Sequence, residues 1–147
     1  MPDRVLQAMH RPAPNIYTGE LVDLTRSLVP DLKSVARTDG DVAMYIANGH
    51  GVWEAALCNV LSRGDRVLVL VTGRFGAGWG EIARAMGVET EILDFGTVSG
   101  VDAGRLQEVL EADRAHSFKA VLTVTVDTSP SVKSAIAALR TALDAAG

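Results

Sequence analysis

The sequence holds one cysteine, Cys58, so an intrachain disulfide is excluded and no cysteine cluster offers metal-ligand spacing. A lone thiol in an apolar helical run fits a reducing compartment. Long apolar runs are missing too: no stretch approaches the roughly eighteen uninterrupted apolar residues that cross a bilayer. The opening Met1-Pro2-Asp3-Arg4 lacks the basic-then-apolar pattern of a secretion signal. Together these predict a cytoplasmic chain with no membrane partner. Positive charge is not in excess, the formal net charge being −4, so no basic field exists to hold phosphodiesters and a general nucleic-acid binder is excluded. A small soluble partner or substrate is the expectation. No internal repeat or low-complexity tract interrupts the chain, and Pro and Gly are scattered as punctuation.

What is present suits one buried core: 147 residues, 48% of them apolar. From Asp41 onward, short β-rich runs alternate with helical ones, the order that builds an α/β fold around a mainly parallel sheet. Strands are predicted at Val42–Ala47, Arg66–Val71, Val88–Asp94 and Ala120–Val126, each short and rich in Val, Ile or Leu. Helices are predicted at Val52–Leu61, Ala77–Met86, Ala103–Asp113 and Ser131–Ala145, with Gly64 and Gly87 punctuating two of their ends. Residues 1–40 read as an arm, with Arg11 to Pro14 extended and Gly19 to Arg37 helical but interrupted near Pro30. Residues 41–147 read as the first part of a larger domain. Four strands with five helical pieces are expected to leave apolar surface uncovered, which predicts a missing C-terminal portion or a companion chain.

Three segments can carry chemistry. Asn48-Gly49-His50-Gly51-Val52-Trp53-Glu54 lies where a strand is expected to open into a helix, and free amides at such a start, with the helix dipole behind them, attract an anion. The same residues also suit a plain tight turn. Thr72-Gly73-Arg74-Phe75-Gly76-Ala77-Gly78-Trp79-Gly80 follows the strand at Arg66–Val71, with Asp94 about twenty residues on, as in dinucleotide sites. Its glycines miss the G-x-G-x-x-G spacing, however, and Phe75 and Trp79 stand where a pyrophosphate needs bare backbone. Phe75 is better suited to face a planar ring, or simply to pack in the core. In Thr123 to Lys133, hydroxyls and the Asp127 carboxylate gather just past a strand, at the edge where α/β proteins bind ligands. Asp127, Ser129 and Ser131 equally suit capping of the helix that follows.

Asn-Gly-His-Gly-Val-Trp-Glu-Ala-Ala from Asn48, Thr-Gly-Arg-Phe-Gly from Thr72 and Val-Asp-Thr-Ser-Pro-Ser-Val-Lys from Val126, in that order, resemble the class V aminotransferases of the serine–glyoxylate and alanine–glyoxylate type. The likeness runs from Val5 almost to the end and includes Asn59-Val60-Leu61-Ser62-Arg63-Gly64-Asp65. It implies part of a fold-type I large domain, a three-layer α/β/α arrangement that is incomplete here. It also implies pyridoxal 5′-phosphate as cofactor: Gly49, His50 and Gly51 holding the phosphate, Phe75 stacking on the pyridine ring, and Thr128 beside the cofactor, with Asn48 and Asp127 as neighbours. The implied reaction moves an amino group from serine or alanine to glyoxylate or another 2-oxo acid, in a homodimer of the complete protein.

The departures count as well. The family's Gly-Pro-Gly-Pro-like loop is absent before the arm, and its pyridine-pairing aspartate, Schiff-base lysine and carboxylate-binding arginine all lie beyond residue 147. Lys133 falls at the expected start of a helix where the family carries a polar residue of no catalytic role, and Lys33 and Lys119 read as solvated charges. No catalytic residue is therefore assigned to this chain, which is expected to be inactive alone. Two other readings stand beside this one: a nucleotide-binding oxidoreductase-like domain built on Gly73 to Gly80 with Asp94, and a truncated relative acting as a non-catalytic interaction module.

Overall fold

Val67, Leu68, Val69 and Leu70 are apolar without alternation, the pattern of a strand covered on both faces. Arg66–Val71 accordingly forms β1, the centre of a three-stranded parallel sheet. The computed structural model describes residues 1–147, which fall into two compact units, Met1–Tyr45 and Ile46–Gly147. In the second unit β1 is flanked by β2, Glu89–Asp94, and β3, Phe118–Thr123, in the order β2-β1-β3. Val69 pairs with Ile92 on one side and with Leu122 on the other.

Parallel neighbours need crossovers, supplied by α4, Arg74–Ala85, and α5, Ala103–Ala112. The chain steps from β1 to one side and then back across to the other, so right-handed crossovers place α4 and α5 on opposite faces. The packing agrees. Val67, Val69 and Val71 join Leu57 of α3, Gly49–Val60, and Ala83 of α4 in one core cluster. Leu68 and Leu70 join Leu106 of α5 with Leu139 and Ala142 of α6, Ile136–Ala146, in the other. This is the expected α/β/α layering around a parallel sheet. Gly87, at φ +88°, lies just past the end of α4, where a left-handed residue closes a helix cheaply only as glycine.

Three expectations are corrected. Val42–Ala47 forms no strand: β-rich composition is not enough without a neighbouring edge to pair with, and Met44, Tyr45 and Ile46 are exposed. The strand expected at Ala120–Val126 begins earlier and ends at Thr123. The helix expected at Ser131–Ala145 begins only at Ile136, because Val132–Lys133, β5, pairs antiparallel with Val126–Asp127, β4. Residues 128–131 thus form the turn of a small hairpin, and Lys133 is an exposed strand residue rather than the start of a helix.

In the first unit, α1 spans Asp3–Met9 and α2 spans Glu20–Ala36. No helix was expected over Asp3–Met9, and α2 runs through Pro30 rather than breaking there. Pro30 removes one donor, and in an exposed helix the freed Arg26 carbonyl is open to water.

Leu68 is fully buried at the centre of the sheet. Leu68→Ala should lower the unfolding free energy in urea by about 3 kcal/mol, the usual cost of such a cavity. A loss no larger than a surface substitution would contradict this placement of the core.

Candidate functional site

Strands β1 and β3 both run toward the edge where the chain reverses its winding, the place where open α/β sheets form a crevice. The turn Thr72-Gly73 leads from β1 into α4, and Val124-Thr125 leads from β3 into the β4–β5 hairpin. These two connections meet through Asp127, which has no exposed surface. One carboxylate oxygen, Oδ2, accepts from the backbone N–H groups of Phe75 and Gly76, both at 3.0 Å. The other, Oδ1, accepts from the Ser129 N–H at 3.2 Å and its hydroxyl at 2.7 Å.

The Ser129 hydroxyl oxygen also accepts from the Arg74 N–H at 3.0 Å, and the Ala77 N–H donates to the Gly73 carbonyl at 3.2 Å. The three leading amides of α4 therefore have side-chain acceptors and the helix's own ladder begins at Ala77, with a full negative charge at the positive end of the helix. Burial pushes the Asp127 carboxyl upward, but the bonds from Ser129, Gly76 and Phe75 outweigh it and hold the group below the usual carboxylate range. Gly73 is required by this closeness: a Cβ there would lie 2.7 Å from the Asp127 Cγ and from Pro130 Cδ.

The expectation that Asp127 or Ser129 caps the following helix is thus wrong. They cap α4, more than fifty residues earlier, while Ala135 at the start of α6 makes no side-chain cap. The dinucleotide reading of Gly73 to Gly80 fails on the same geometry. Gly76 and Gly80 are buried where α4 presses on the sheet, and the amides a pyrophosphate would need are already taken by Asp127 and Ser129. Asp94 uses its Oδ1 to accept from the nearby Gly96 N–H at 2.8 Å.

The start of α3 is different. The His50 and Gly51 N–H groups share the neutral Oδ1 of Asn48, at 3.1 and 3.4 Å. A neutral cap of this kind is worth only about 1 kcal/mol and can swing aside for an anion. Nothing lies within 4 Å of where a Gly49 side chain would begin, leaving room for a ligand to approach. Phosphate chemistry therefore fits α3 and not α4.

Aromatic side chains join the two helices. The His50 and Phe75 ring centroids are 6.1 Å apart, His50 meets Trp53 edge-on at 4.8 Å, and Trp53 stacks on Trp79 at 5.3 Å and 14°. His50 and Phe75 line one groove with Arg74, Ala77, Gly78 and Glu81. Thr128 is exposed at the head of the hairpin turn, next in sequence to Asp127. The structure thus brings His50, Gly51 and Phe75 together, and ties Phe75 to the Thr128 turn through Asp127. The Trp53–Trp79 stack was missed in the sequence. Its signal was the spacing: each Trp stands three or four residues after an aromatic or His that opens a helix. Neither Lys119 nor Lys133 lines the groove.

No protein-family model matches the chain. It is 36% identical to the serine–glyoxylate aminotransferase of Methylorubrum extorquens over an alignment that covers 100% of this chain and 37% of that protein. To the L-aspartate–glyoxylate aminotransferase of Paracoccus denitrificans it is 38% identical, covering 82% of this chain and 32% of that one. Among solved structures, the subgroup IV aspartate aminotransferase of Thermus thermophilus superposes with a TM-score of 0.80 at 25% identity, covering 100% of this chain and 40% of the other. The chain spans about a third of the length of the curated relatives it matches.

Asp127, held below its ordinary range in the folded chain, adds stability above the unfolded value of about 4 and loses it as pH falls through and below that value. Urea unfolding followed from neutral to acid pH should show a falling limb in the parent that is flatter in Asp127→Asn, itself less stable at neutral pH. Identical limbs in the two proteins would contradict the carboxylate's role.

Proposed function

We propose, for a chain that belongs to the class V aminotransferase family and corresponds to its N-terminal part, that residues 46–147 bind and orient pyridoxal 5′-phosphate for amino-group transfer between a small amino acid and a 2-oxo acid. The observation that carries this reading is the meeting of two chemistries on one rim. The α3 start offers amides to an anion, and Phe75 stands beside it with its ring centroid 6.1 Å from that of His50.

The amides of His50 and Gly51 hold the phosphate, with Gly49 leaving the approach open and the helix dipole favouring the dianion. The Phe75 face sets the plane of the heterocycle, and the Trp53–Trp79 stack keeps His50 and Phe75 from collapsing into that space. Thr128 places a hydroxyl beside the ring. When bound, the cofactor supplies the carbonyl and the electron-withdrawing pyridine that amino transfer needs.

Serine or alanine as donor and glyoxylate as acceptor follow the character of the relatives. Because no lysine lines the groove, the covalent hold on the cofactor and the movement of the substrate α-proton are assigned to a companion portion, within a dimer of the complete protein in the cytoplasm.

Calorimetry tests the phosphate cradle without side reactions at surface lysines if amine forms of the vitamin are used. Pyridoxamine 5′-phosphate should bind about tenfold or more tightly than pyridoxamine, and Phe75→Ala should weaken it about three- to tenfold. Equal affinity for the two ligands would sink the reading.

A further inference from the structure

Two helices, α3 and α4, begin close together: His50 of α3 and Arg74 and Phe75 of α4 line one groove, and the leading amides of each helix take a side-chain cap. A phosphate monoester entering the groove meets two starts of the same chemistry, yet they differ in one respect. The α3 amides rest on a neutral, exposed carboxamide oxygen, whereas those of α4 are closed by a buried carboxylate and the hydroxyl it orders. We propose that Asp127 is the positioning residue of the site: it seals α4 against anions, so that the phosphate settles on α3, and it locks the Phe75 turn to the Thr128 turn so that ring and hydroxyl face the same ligand. The second half of this rests on the cofactor reading above.

Three observations carry the assignment. Asp127 is fully buried, and each of its oxygens serves a separate pair of donors, one pair on α4 and one on Ser129. It stands on β4, whose pairing with β5 fixes the hairpin that carries Thr128. Gly73 and Pro130 close around it so tightly that a Cβ on Gly73 would overlap both. The linkage from Phe75 to Thr128 is thus a chain of short, directed contacts. A neutral side chain of the same shape would not reproduce it, since a carboxamide has one acceptor oxygen for two donor pairs.

The test uses the 147-residue chain labelled with 15N, its Asp127→Ala and Asp127→Asn variants, and inorganic phosphate, formate, formamide and pyridoxamine 5′-phosphate as probes. In the parent, inorganic phosphate and pyridoxamine 5′-phosphate should move the His50 and Gly51 amide resonances, and inorganic phosphate should leave those of Phe75 and Gly76 in place. In Asp127→Ala, inorganic phosphate and formate should move Phe75 and Gly76 saturably. Affinity for pyridoxamine 5′-phosphate should fall about tenfold and return with formate but not with formamide, which fills the same space without the charge.

Unchanged affinity in Asp127→Ala, or rescue by formamide as good as by formate, would overturn the proposal. If that variant does not fold, Asp127→Asn decides, and binding equal to the parent's overturns it. Failure of the cofactor reading looks different: His50 and Gly51 stay unmoved in the parent. Phosphate moving Phe75 and Gly76 only once Asp127 is removed would then still sustain the sealing of α4, and no movement there would end it.

Discussion

A carboxylate removed from water survives as a charge only when donors replace its hydration, and Asp127 has four: two backbone amides of α4 and the amide and hydroxyl of Ser129. Much of the rim depends on that exchange. It closes the first turn of α4, which bears Phe75, and it anchors the hairpin that bears Thr128. The absence of a side chain at Gly73 is what lets the carboxylate approach. One interaction across more than fifty residues of sequence thus sets two of the three segments proposed to face a ligand.

The third segment is set by packing. Leu57 of α3 is buried with Val67, Val69 and Ala83, which holds that helix beside α4, and Gly80 lets α4 lie close over Val69. Above this contact Trp53 stacks on Trp79, and His50 and Phe75 stand one turn nearer the rim. The α3 amides and the Phe75 ring face are therefore fixed relative to each other by the core, so the planar phosphorylated ligand proposed above would meet a prepared surface rather than order one on arrival.

The sheet and its layers were legible because they rest on local pattern: the unbroken, valine-rich apolar run at Val67 to Leu70, short and bounded by Gly64 and Gly73, suits a covered strand, and Gly87 marks the end of α4 by its need for positive φ. The resemblance singled out Gly49 to Gly51 and Phe75, and the structure places His50 and Phe75 side by side. What could not be read was anything that depends on distant partners. Val42–Ala47 has strand composition but no edge to join, and Val132–Lys133 leaves the helix pattern because Val126–Asp127 offers one. Asp127 looked like a cap for its own neighbour, since sequence proximity hides a helix fifty residues upstream, and its true partner was signalled only by the glycine at position 73.

The chain covers about a third of its curated relatives, and the contribution proposed for it is binding and orientation, with the covalent chemistry proposed to lie in a companion portion. That division turns on where the phosphate rests. The most direct measurement is a crystal structure of the chain with pyridoxamine 5′-phosphate. The phosphorus should lie against the His50 and Gly51 amides, with Asn48 swung aside and the pyridine on the Phe75 face. Density for the phosphate on α4 in place of the Asp127 contacts, or a ligand away from this rim, would contradict it.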